Sequence, residues 1–419
     1  MPERAPRNEA RKSIYDPVHG PIVLEGSALE LIGTAEFQRL WGIRQTGLAH
    51  LVFPGANHTR LEHSLGVFWV ARRISEGLGL PARDRRLVEA GALLHDLGHP
   101  PFSHTLEPTM REVLGHGHER RSRQLIVGSV RSDGDVAQIL RRAGVDPDAV
   151  ADLVDPVRTE RSPSLLRSLL HGAVDADRLD YLQRDAYYTG VAHGAVDLVR
   201  ILDTFRRAGD RLVIASKGRS AIEGFLVGRS LMYSAVYYHK TVRAAELMTQ
   251  AAVERAIGFP SAAVDWLGGT DGDLLLDVGR ERGAVSRRLI EGLRRRRLYK
   301  RAHVFTRLTP DSARRWRRLA HRPKERRALE DSLADRFRSP PGSLLIDLAG
   351  IEPRDRPDED GRTIALLDGS RLVYPFRASS PWSELARRPP SETRAAIYTV
   401  PSIREAVARW LRRSPSAVP

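Results

Sequence analysis

Three histidines and an aspartate stand within twelve residues of one stretch, LLHDLGHPPFSH (Leu93–His104). These titratable groups could simply decorate the polar end of a helix, or they could bind a metal ion. His95 and Asp96 are adjacent, and adjacent residues of a straight helix point about 100° apart, so they can share an ion only where the helix ends. Gly98 and Pro100 provide such an end. The spacing therefore permits a metal site.

Two other segments carry the same kinds of residue at helical spacing. Arg60 and His63 are one turn apart in NHTRLEHSLGV, so both lie on one helix face. Further along, HGAVDADRLDYLQRD supplies several aspartates among apolar residues, including Asp177 and Asp180. Two histidines and two carboxylates from three helices could enclose one divalent ion and leave positions open for water and substrate. We read Asp180 itself as an ion-pair partner on a helix face.

The composition limits the metal chemistry and the location of the protein. The 419-residue chain has no cysteine, which excludes disulfides, thiolate zinc sites and cysteine nucleophiles. A metal must then be bound by His, Asp or Glu, which favours manganese, iron, magnesium, nickel or zinc. No long uncharged apolar segment predicts a membrane span or a signal peptide. We therefore expect a cytoplasmic protein that does not bind membranes.

The formal net charge of +15 and the pI near 10.6 indicate an anionic partner. Nearly all of the 67 basic residues are arginines, which is typical of a GC-rich genome. Nucleic acid is therefore a possible partner but not the favoured one. A phosphorylated small molecule would use the same arginines, because their planar fork matches phosphate geometry.

The pattern of apolar residues predicts two regions. From about Ser27 to Gln250 the chain reads as mainly helical. The predicted helices there are Leu61–Leu78, Arg83–Leu97, Ser164–Leu170, Asp197–Ala208 and Ile222–Ala252. A short extended segment, Arg211–Ala215, interrupts them.

Beyond Phe259-Pro260 an arginine-dense helical stretch, Asp273–Arg296, leads into alternating runs that predict strands. These runs are Ala302–Leu308, Ser343–Leu348, Ile364–Leu367, Arg371–Pro375 and Ala395–Val400. Asp368-Gly369 predicts a hairpin turn, and Ser402–Arg413 a last helix. We predict a mainly α fold, with a helical core in residues 1–256 and a smaller C-terminal α+β lobe in residues 257–419.

His63, His95-Asp96 and Asp177 resemble the H…HD…D signature of the HD-domain metal-dependent phosphohydrolases. Four blocks in order more closely resemble the deoxynucleoside triphosphate (dNTP) triphosphohydrolases, the group that contains the vertebrate SAM- and HD-domain dNTPase. These blocks are Phe37–Val67, His95–His104 (HDLGHPPFSH), Asp175–Asp185 (DADRLDYLQRD) and Arg229–Lys240 (RSLMYSAVYYHK). The resemblance implies an HD-domain helical core.

The resemblance also implies a role for individual residues. The ligands of one divalent metal ion would be His63, His95, Asp96 and Asp177. The catalytic residues around the α-phosphate would be His99, His104, His118 and Glu107. The phosphates and the sugar would be bound by Gln45, Arg60, Tyr181, Asp185, Arg229 and Tyr237. Regulatory phosphates between subunits would be bound by Lys12, Lys217, His239, Lys240, Arg296 and Lys300.

The implied reaction converts a dNTP into a deoxynucleoside and inorganic triphosphate, in a homo-oligomer that is a dimer or a tetramer. Gly33 and Trp41 stand where guanine-activated members carry an aspartate and an arginine, which argues against activation by GTP. Two alternatives stay open. The HD site could act on another nucleotide or on nucleic acid, or the protein could be a nucleotide sensor without catalysis.

Overall fold

The computed structural model describes residues 11–130, 135–155, 164–256, 265–280, 283–306, 308–348, 365–373, 395–414 and 418. The fold is mainly helical, as predicted, with small sheets and a sheet-containing C-terminal region. None of the helices in this part of the chain has the length and apolar character that spanning a membrane requires.

Helices build most of the first 256 residues. They are α1 (Gly26–Ile32), α2 (Ala35–Arg39), α3 (Arg60–Gly77), α4 (Ala82–Leu94), α5 (Glu107–Leu114), α6 (His118–Val127), α7 (Val136–Arg142), α8 (Pro147–Val154), α9 (Ser164–His171), α10 (Ala176–Thr189), α11 (Leu198–Thr204), α12 (Arg219–Met232) and α13 (Lys240–Ala256). Further along lie α14 (Asp271–Arg280), α15 (Ala284–Arg294), α16 (Pro310–Ala320), α17 (Pro323–Arg336) and α18 (Arg404–Arg413).

The strands form three small sheets. An antiparallel hairpin pairs β1 (Arg11–Asp16) with β2 (Gly20–Glu25). A four-stranded sheet has the order β3 (Phe205–Ala208), β4 (Arg211–Ala215), β7 (Leu366–Asp368) and β8 (Arg371–Val373). A three-stranded antiparallel sheet has the order β5 (Lys300–Phe305), β9 (Ala395–Thr399) and β6 (Leu344–Asp347).

The four-stranded sheet joins the two predicted regions, because β4 pairs in parallel with β7 through Ile214 and Leu366. The predicted boundary between residues 256 and 257 adjoins residues 257–264, which lie outside the described residues, so it stays a prediction. The predicted hairpin turn at Asp368-Gly369 is confirmed, with Gly369 at a φ of 59°.

Three predictions of secondary structure were wrong in part. The predicted helix Asp197–Ala208 ends at Thr204 and continues as β3. The predicted helix Ile222–Ala252 is interrupted by a π-helical turn, Tyr233–Tyr237, which separates α12 from α13. The predicted stretch Asp273–Arg296 contains two helices, α14 and α15. In each case apolar residues continue at helical spacing across a break that their periodicity does not reveal.

Helix α3 is the central element of the core. A capping box fixes its start: the Thr59 side chain accepts a hydrogen bond from the Glu62 amide, and Glu62 Oε2 accepts one from the Thr59 amide at 2.6 Å. Most of its residues are buried where it packs against α4 and α10. Arg60 and His63 are therefore held on a rigid, buried face.

Gly66 permits the close approach of α3 to α10. A Cβ atom added at Gly66 would lie 1.9 Å from Asp180 Oδ1 and 2.3 Å from Arg184 Nη2. Asp180 and Arg184 are both completely buried and bonded to each other, with Arg184 Nε 2.9 Å from Asp180 Oδ2. These two side chains cannot move aside without breaking a buried ion pair, so this position requires glycine.

We predict that Gly66→Ala lowers the free energy of unfolding by about 3 kcal/mol, because the added methyl group displaces a buried ion pair. Gly77→Ala, at the exposed end of the same helix where a Cβ meets nothing within 4 Å, serves as the control. It should stabilise the protein by up to about 1 kcal/mol. Thermal and urea unfolding of both variants measure the difference. Equal stability of Gly66→Ala and the wild-type protein would contradict the packing described.

Candidate active site

The four predicted metal ligands converge. Donor atoms of His63, His95 and Asp177 all lie within 4.8 Å of one another. His63 Nε2 is 3.0 Å from Asp177 Oδ1 and 3.8 Å from Asp96 Oδ2. His95 Nε2 is 3.3 Å from Asp96 Oδ1. Helix α4 ends at Leu94 rather than at the predicted Leu97, so His95 and Asp96 leave the helix together and reach the same site.

Hydrogen bonds orient both histidine rings of this cluster. His63 Nδ1 lies 2.7 Å from Asp180 Oδ2, and His95 Nδ1 lies 2.8 Å from the Ala92 carbonyl oxygen. Because these partners only accept, each Nδ1 carries the proton and each Nε2 faces the cluster. His95 Nε2 is buried and has no hydrogen-bond partner among the described residues. Such an orphaned ring nitrogen beside carboxylates fits a metal ligand.

Electrostatics keep the carboxylates of this cluster ionised. Burial opposes the charge of Asp96, but Arg60, His95 and His99 hold its pKa well below the usual range. Burial likewise opposes ionisation of Asp177, and the hydrogen bond with His63 lowers its pKa to about 2. For His63 burial opposes the charge, whereas hydrogen bonds with Asp177 and Asp180 raise its pKa to about 10. The cluster therefore offers two anionic ligands near neutral pH.

Asp177 gives the cluster access to solvent. Its side chain is 36% exposed, whereas those of His63 and Asp96 are 1% and 6% exposed. A ligand or water molecule can therefore approach from the Asp177 side, and the opposite side is closed by protein.

A second cluster adjoins the first. His99, His104, Glu107 and His118 have donor atoms within 4.8 Å of one another. His118 Nδ1 donates to Glu107 Oε2 at 2.8 Å, and the His99 and His118 rings stack with centroids 3.7 Å apart. His99 Nε2 is 3.2 Å from Asp96 Oδ1, so Asp96 belongs to both clusters. The predicted catalytic residues thus lie together beside the predicted ligands.

The environments of His99 and His118 push their pKa values apart. Burial, Arg60 and His118 hold the pKa of His99 well below its usual value. Burial also acts against a charge on His118, but Glu107 raises its pKa. At a given pH, His118 therefore carries a second ring proton more readily than its stacked neighbour His99. Paired groups of this kind provide an acid and a base at one working pH.

The loop between the clusters is held from the C-terminal region. Asp271 Oδ1, at the start of α14, accepts from the Phe102 amide at 2.6 Å. Phe102 and Ser103 have φ values of 54° and 49°, which are unfavourable for residues with side chains. Arg39 adds bonds to the Leu97 carbonyl at 2.6 Å and to the carbonyls of His99 and Gly269. The sequence analysis did not identify Asp271 or Arg39.

Arg60 lies in the site but is already paired. Its side chain is buried, forms an ion pair with Asp96, and donates from Nε to Ser103 Oγ at 2.6 Å. The guanidinium group therefore links α3, the metal cluster and the loop.

The other predicted substrate-binding residues form one connected group. Asp185 accepts hydrogen bonds from the Tyr237 hydroxyl and from His58 Nε2, the latter at 2.8 Å. Tyr237 packs against Tyr181 and Tyr233, whose ring lies 5.3 Å from the guanidinium carbon of Arg229. The backbone N–H of Gln45 donates to the backbone carbonyl of His58 at 3.0 Å.

Some of the predicted regulatory residues are neighbours. Burial, Lys240 and Arg301 lower the pKa of His239, which places these cations close together. Arg296 donates to the Leu51 carbonyl at 2.8 Å. The ring of His239 contacts that of Phe53, which lies two residues after Leu51 in the sequence. The other three predicted regulatory residues have exposed side chains: Lys12 lies on β1, Lys217 just before α12, and Lys300 on β5.

Two residues contribute more to the site than their sequence context indicates. Asp180 is an ion-pair partner on its helix face, as predicted, through Arg184, and it is also completely buried, where it orients His63. His58 Nε2 lies 2.8 Å from Asp185 Oδ1, within the predicted substrate group. Periodicity along α10 does not identify its buried face, because aspartates, arginines and apolar residues alternate around the helix.

Comparison with known proteins agrees with this arrangement. The family model of the HD domain matches residues 60–185, and that of the HD associated region matches residues 196–414. An uncharacterized protein of Methanocaldococcus jannaschii is 41% identical over 293 residues, which cover 69% of this chain and 59% of that protein. The deoxynucleoside triphosphate triphosphohydrolase SAMHD1 of Gallus gallus is 30% identical over 279 residues, covering 58% of this chain and 45% of that protein.

The chain thus spans about half the length of the curated relatives it matches. A solved phosphohydrolase from Bacteroides thetaiotaomicron superposes with a TM-score of 0.71 at 26% identity, covering 93% of this chain and 100% of that structure. The matched HD region contains all four convergent ligand positions, and the matched associated region contains Asp271. The chain therefore belongs to the HD-domain family and combines an HD domain with an HD-associated region.

Proposed function

We propose that this protein is a metal-dependent phosphohydrolase that converts dNTPs into deoxynucleosides and inorganic triphosphate. The observation that carries the proposal is the convergence of His63, His95 and Asp177, with Asp96 Oδ1 3.3 Å from His95 Nε2. Among the described residues, this buried ring nitrogen has no hydrogen-bond partner. The name of the solved phosphohydrolase supports the reaction class. The activity for which the chicken relative is named supports the substrate.

The residues of the first cluster fit a divalent ion. Two imidazole nitrogens and two carboxylates suit manganese, iron or zinc. When bound, such an ion would polarise a phosphoryl oxygen and lower the pKa of a water molecule. The 36% exposed side chain of Asp177 provides an open approach for the substrate.

The second cluster supplies proton transfer in this proposal. Glu107 accepts the Nδ1 proton of His118 and, against the effect of burial, raises the pKa of this histidine, so its Nε2–H group can donate a proton to the 5′-oxygen of the departing deoxynucleoside. His99 Nε2 faces Asp96, and burial lowers the pKa of His99, which favours the neutral form whose Nδ1 can accept a proton. His104 completes this cluster.

Binding of the nucleotide is assigned to the residues around Asp185. Asp185 and Tyr237 can bind a sugar hydroxyl, with Gln45 and Tyr181 beside them. Arg60 and Arg229 provide positive charge for the triphosphate, where charge develops in the transition state. His239, Lys240, Arg296 and Lys300 are proposed to bind a second, regulatory phosphate group, together with Lys12 and Lys217 of a homo-oligomer. A cytoplasmic location is part of this proposal.

We predict that purified protein with Mn²⁺ releases a deoxynucleoside and intact triphosphate from a dNTP. The double variant His95→Ala/Asp96→Ala should lose at least about 100-fold of this activity, because two metal ligands are removed. His321→Ala, an exposed histidine outside both clusters, serves as the control and should retain activity. Chromatography of the products with each dNTP and NTP separately makes the measurement.

Full activity of the double variant would contradict the assignment of the ligands. Binding of Mn²⁺ without product from any nucleotide would favour a phosphodiester substrate or a sensor. Single-stranded DNA is the next substrate to test, since the net charge of +15 permits such a partner.

We also predict that metal binding releases a proton. Although burial opposes its charge, His63 has a pKa of about 10 through hydrogen bonds with Asp177 and Asp180, so it is protonated at pH 7. A histidine binds a metal ion only through an unprotonated nitrogen, so the ion competes with this proton and its apparent affinity should rise about tenfold for each unit of pH increase below the pKa. Calorimetric titrations of Mn²⁺ in buffers of different ionisation enthalpy measure the proton released. Affinity independent of pH between 6 and 8 would contradict a proton on His63 that the ion must displace.

A further inference from the structure

We propose that the N-terminal hairpin β1–β2 is a positioning element of the metal site, acting through His19 and Asp16 on the carboxylate that orients His63. This inference rests on the proposed function, because it takes the cluster around His63 as the metal site. The hairpin supplies no ligand. Its contribution is to fix the hydrogen-bond acceptor behind a ligand.

His19 reaches from the hairpin into the core. Its side chain is 1% exposed, and its ring stacks on Trp69 with centroids 4.5 Å apart and planes inclined by 14°. His19 Nε2 lies 2.6 Å from Asp180 Oδ1. Since an ionised carboxylate only accepts, His19 donates this bond. A residue at the N-terminal end of the chain is thereby bonded to α10.

Asp180 receives bonds on both oxygen atoms. Oδ1 accepts from His19 and from Arg184 Nη2, the latter at 3.0 Å. Oδ2 accepts from Arg184 Nε at 2.9 Å and from His63 Nδ1 at 2.7 Å. These four bonds use the acceptor positions of a carboxylate, so its rotation is fixed. Loss of the His19 bond leaves one oxygen with a single partner and permits rotation away from His63.

Asp16 makes a second connection between the hairpin and this carboxylate. Its Oδ2 accepts from Arg184 Nη1 at 2.7 Å. Its Oδ1 accepts from the amides of Val18 at 3.0 Å and His19 at 2.8 Å. One side chain therefore closes the turn that presents His19 and also anchors the arginine that binds Asp180.

This arrangement sets the ligand properties of His63. The bond to Asp180 keeps a proton on Nδ1, so Nε2, which lies 3.0 Å from Asp177 Oδ1, is the nitrogen that can bind an ion. A carboxylate partner makes an imidazole a stronger metal ligand. Partners of this kind typically contribute 10- to 100-fold, roughly, to metal affinity. The hairpin should therefore influence metal affinity although its residues do not touch the ion.

Two variants of His19 separate this positioning role from packing. His19→Phe keeps a ring against Trp69 and removes the donor to Asp180. His19→Gln restores an N–H donor of similar reach. Tyr15→Ala, on the same hairpin with an 84% exposed side chain, serves as the control.

The measurement is Mn²⁺ binding to the metal-stripped full chain by calorimetry, with circular dichroism and the melting temperature recorded for every variant. We expect His19→Phe to lose about 10- to 100-fold in Mn²⁺ affinity, His19→Gln to recover most of it, and Tyr15→Ala to match wild type. The visible spectrum of bound Co²⁺ should also change in His19→Phe and return in His19→Gln.

Wild-type affinity in a folded His19→Phe protein would overturn the inference and leave the metal site intact. A wild-type protein that binds no Mn²⁺ would instead overturn the proposed function together with this inference. If His19→Phe does not fold, Asp16→Asn provides the second test. This substitution weakens the bond to Arg184 and should therefore lower Mn²⁺ affinity, as expected for His19→Phe. Unchanged Mn²⁺ affinity in Asp16→Asn would overturn the inference.

Discussion

The ion pair between Asp180 and Arg184 is the interaction on which the rest of this structure depends. Both side chains are completely buried, and burial of charge is tolerated only where every charged atom is bonded. Burial opposes ionisation of Asp180, yet Arg184, His19 and His63 hold its pKa well below the usual range. The pair connects α10 to α3 at Gly66 and to the hairpin through Asp16. Helix packing and orientation of His63 are therefore one arrangement.

The other buried carboxylates of the site are also stabilised by bonds from neighbouring side chains. Asp96 is paired with Arg60, and Asp185 is bonded to His58 and Tyr237. Each carboxylate joins elements that are distant in sequence, so the site is rigid before any substrate binds. Such preorganisation lets charged groups act in catalysis without reorganisation.

The HD-associated region contributes to the site without supplying a proposed ligand. Asp271 accepts a hydrogen bond from the Phe102 amide and holds two residues in the left-handed conformation. Conformations of this kind cost roughly 1–3 kcal/mol each and persist only where neighbouring groups fix them. The loop that carries His99 and His104 is thus shaped by residues about 170 positions later in the chain. This dependence explains why the two regions pack as one unit around the site.

Residue types and spacing alone indicated His63, His95 and Asp96, whereas the resemblance to HD-domain phosphohydrolases selected Asp177 among several neighbouring aspartates. Gly98 and Pro100 indicated a helix end, which the structure has at Leu94 rather than at Leu97. Long-range partners were missed, because the bond from His19 to Asp180 joins residues 161 positions apart. The hairpin of β1 and β2 was also missed, although Pro17 and Gly20 mark its turn. Periodicity describes one helix at a time, so it cannot show which polar side chain will face a partner helix.

Anomalous diffraction at the manganese absorption edge, from crystals of the full chain grown with Mn²⁺, tests the central claim most directly. We predict one anomalous peak, from an ion bound by Nε2 of His63 and His95 and by the carboxylates of Asp96 and Asp177. A peak only among His99, His104, Glu107 and His118, or none at either cluster, would contradict it.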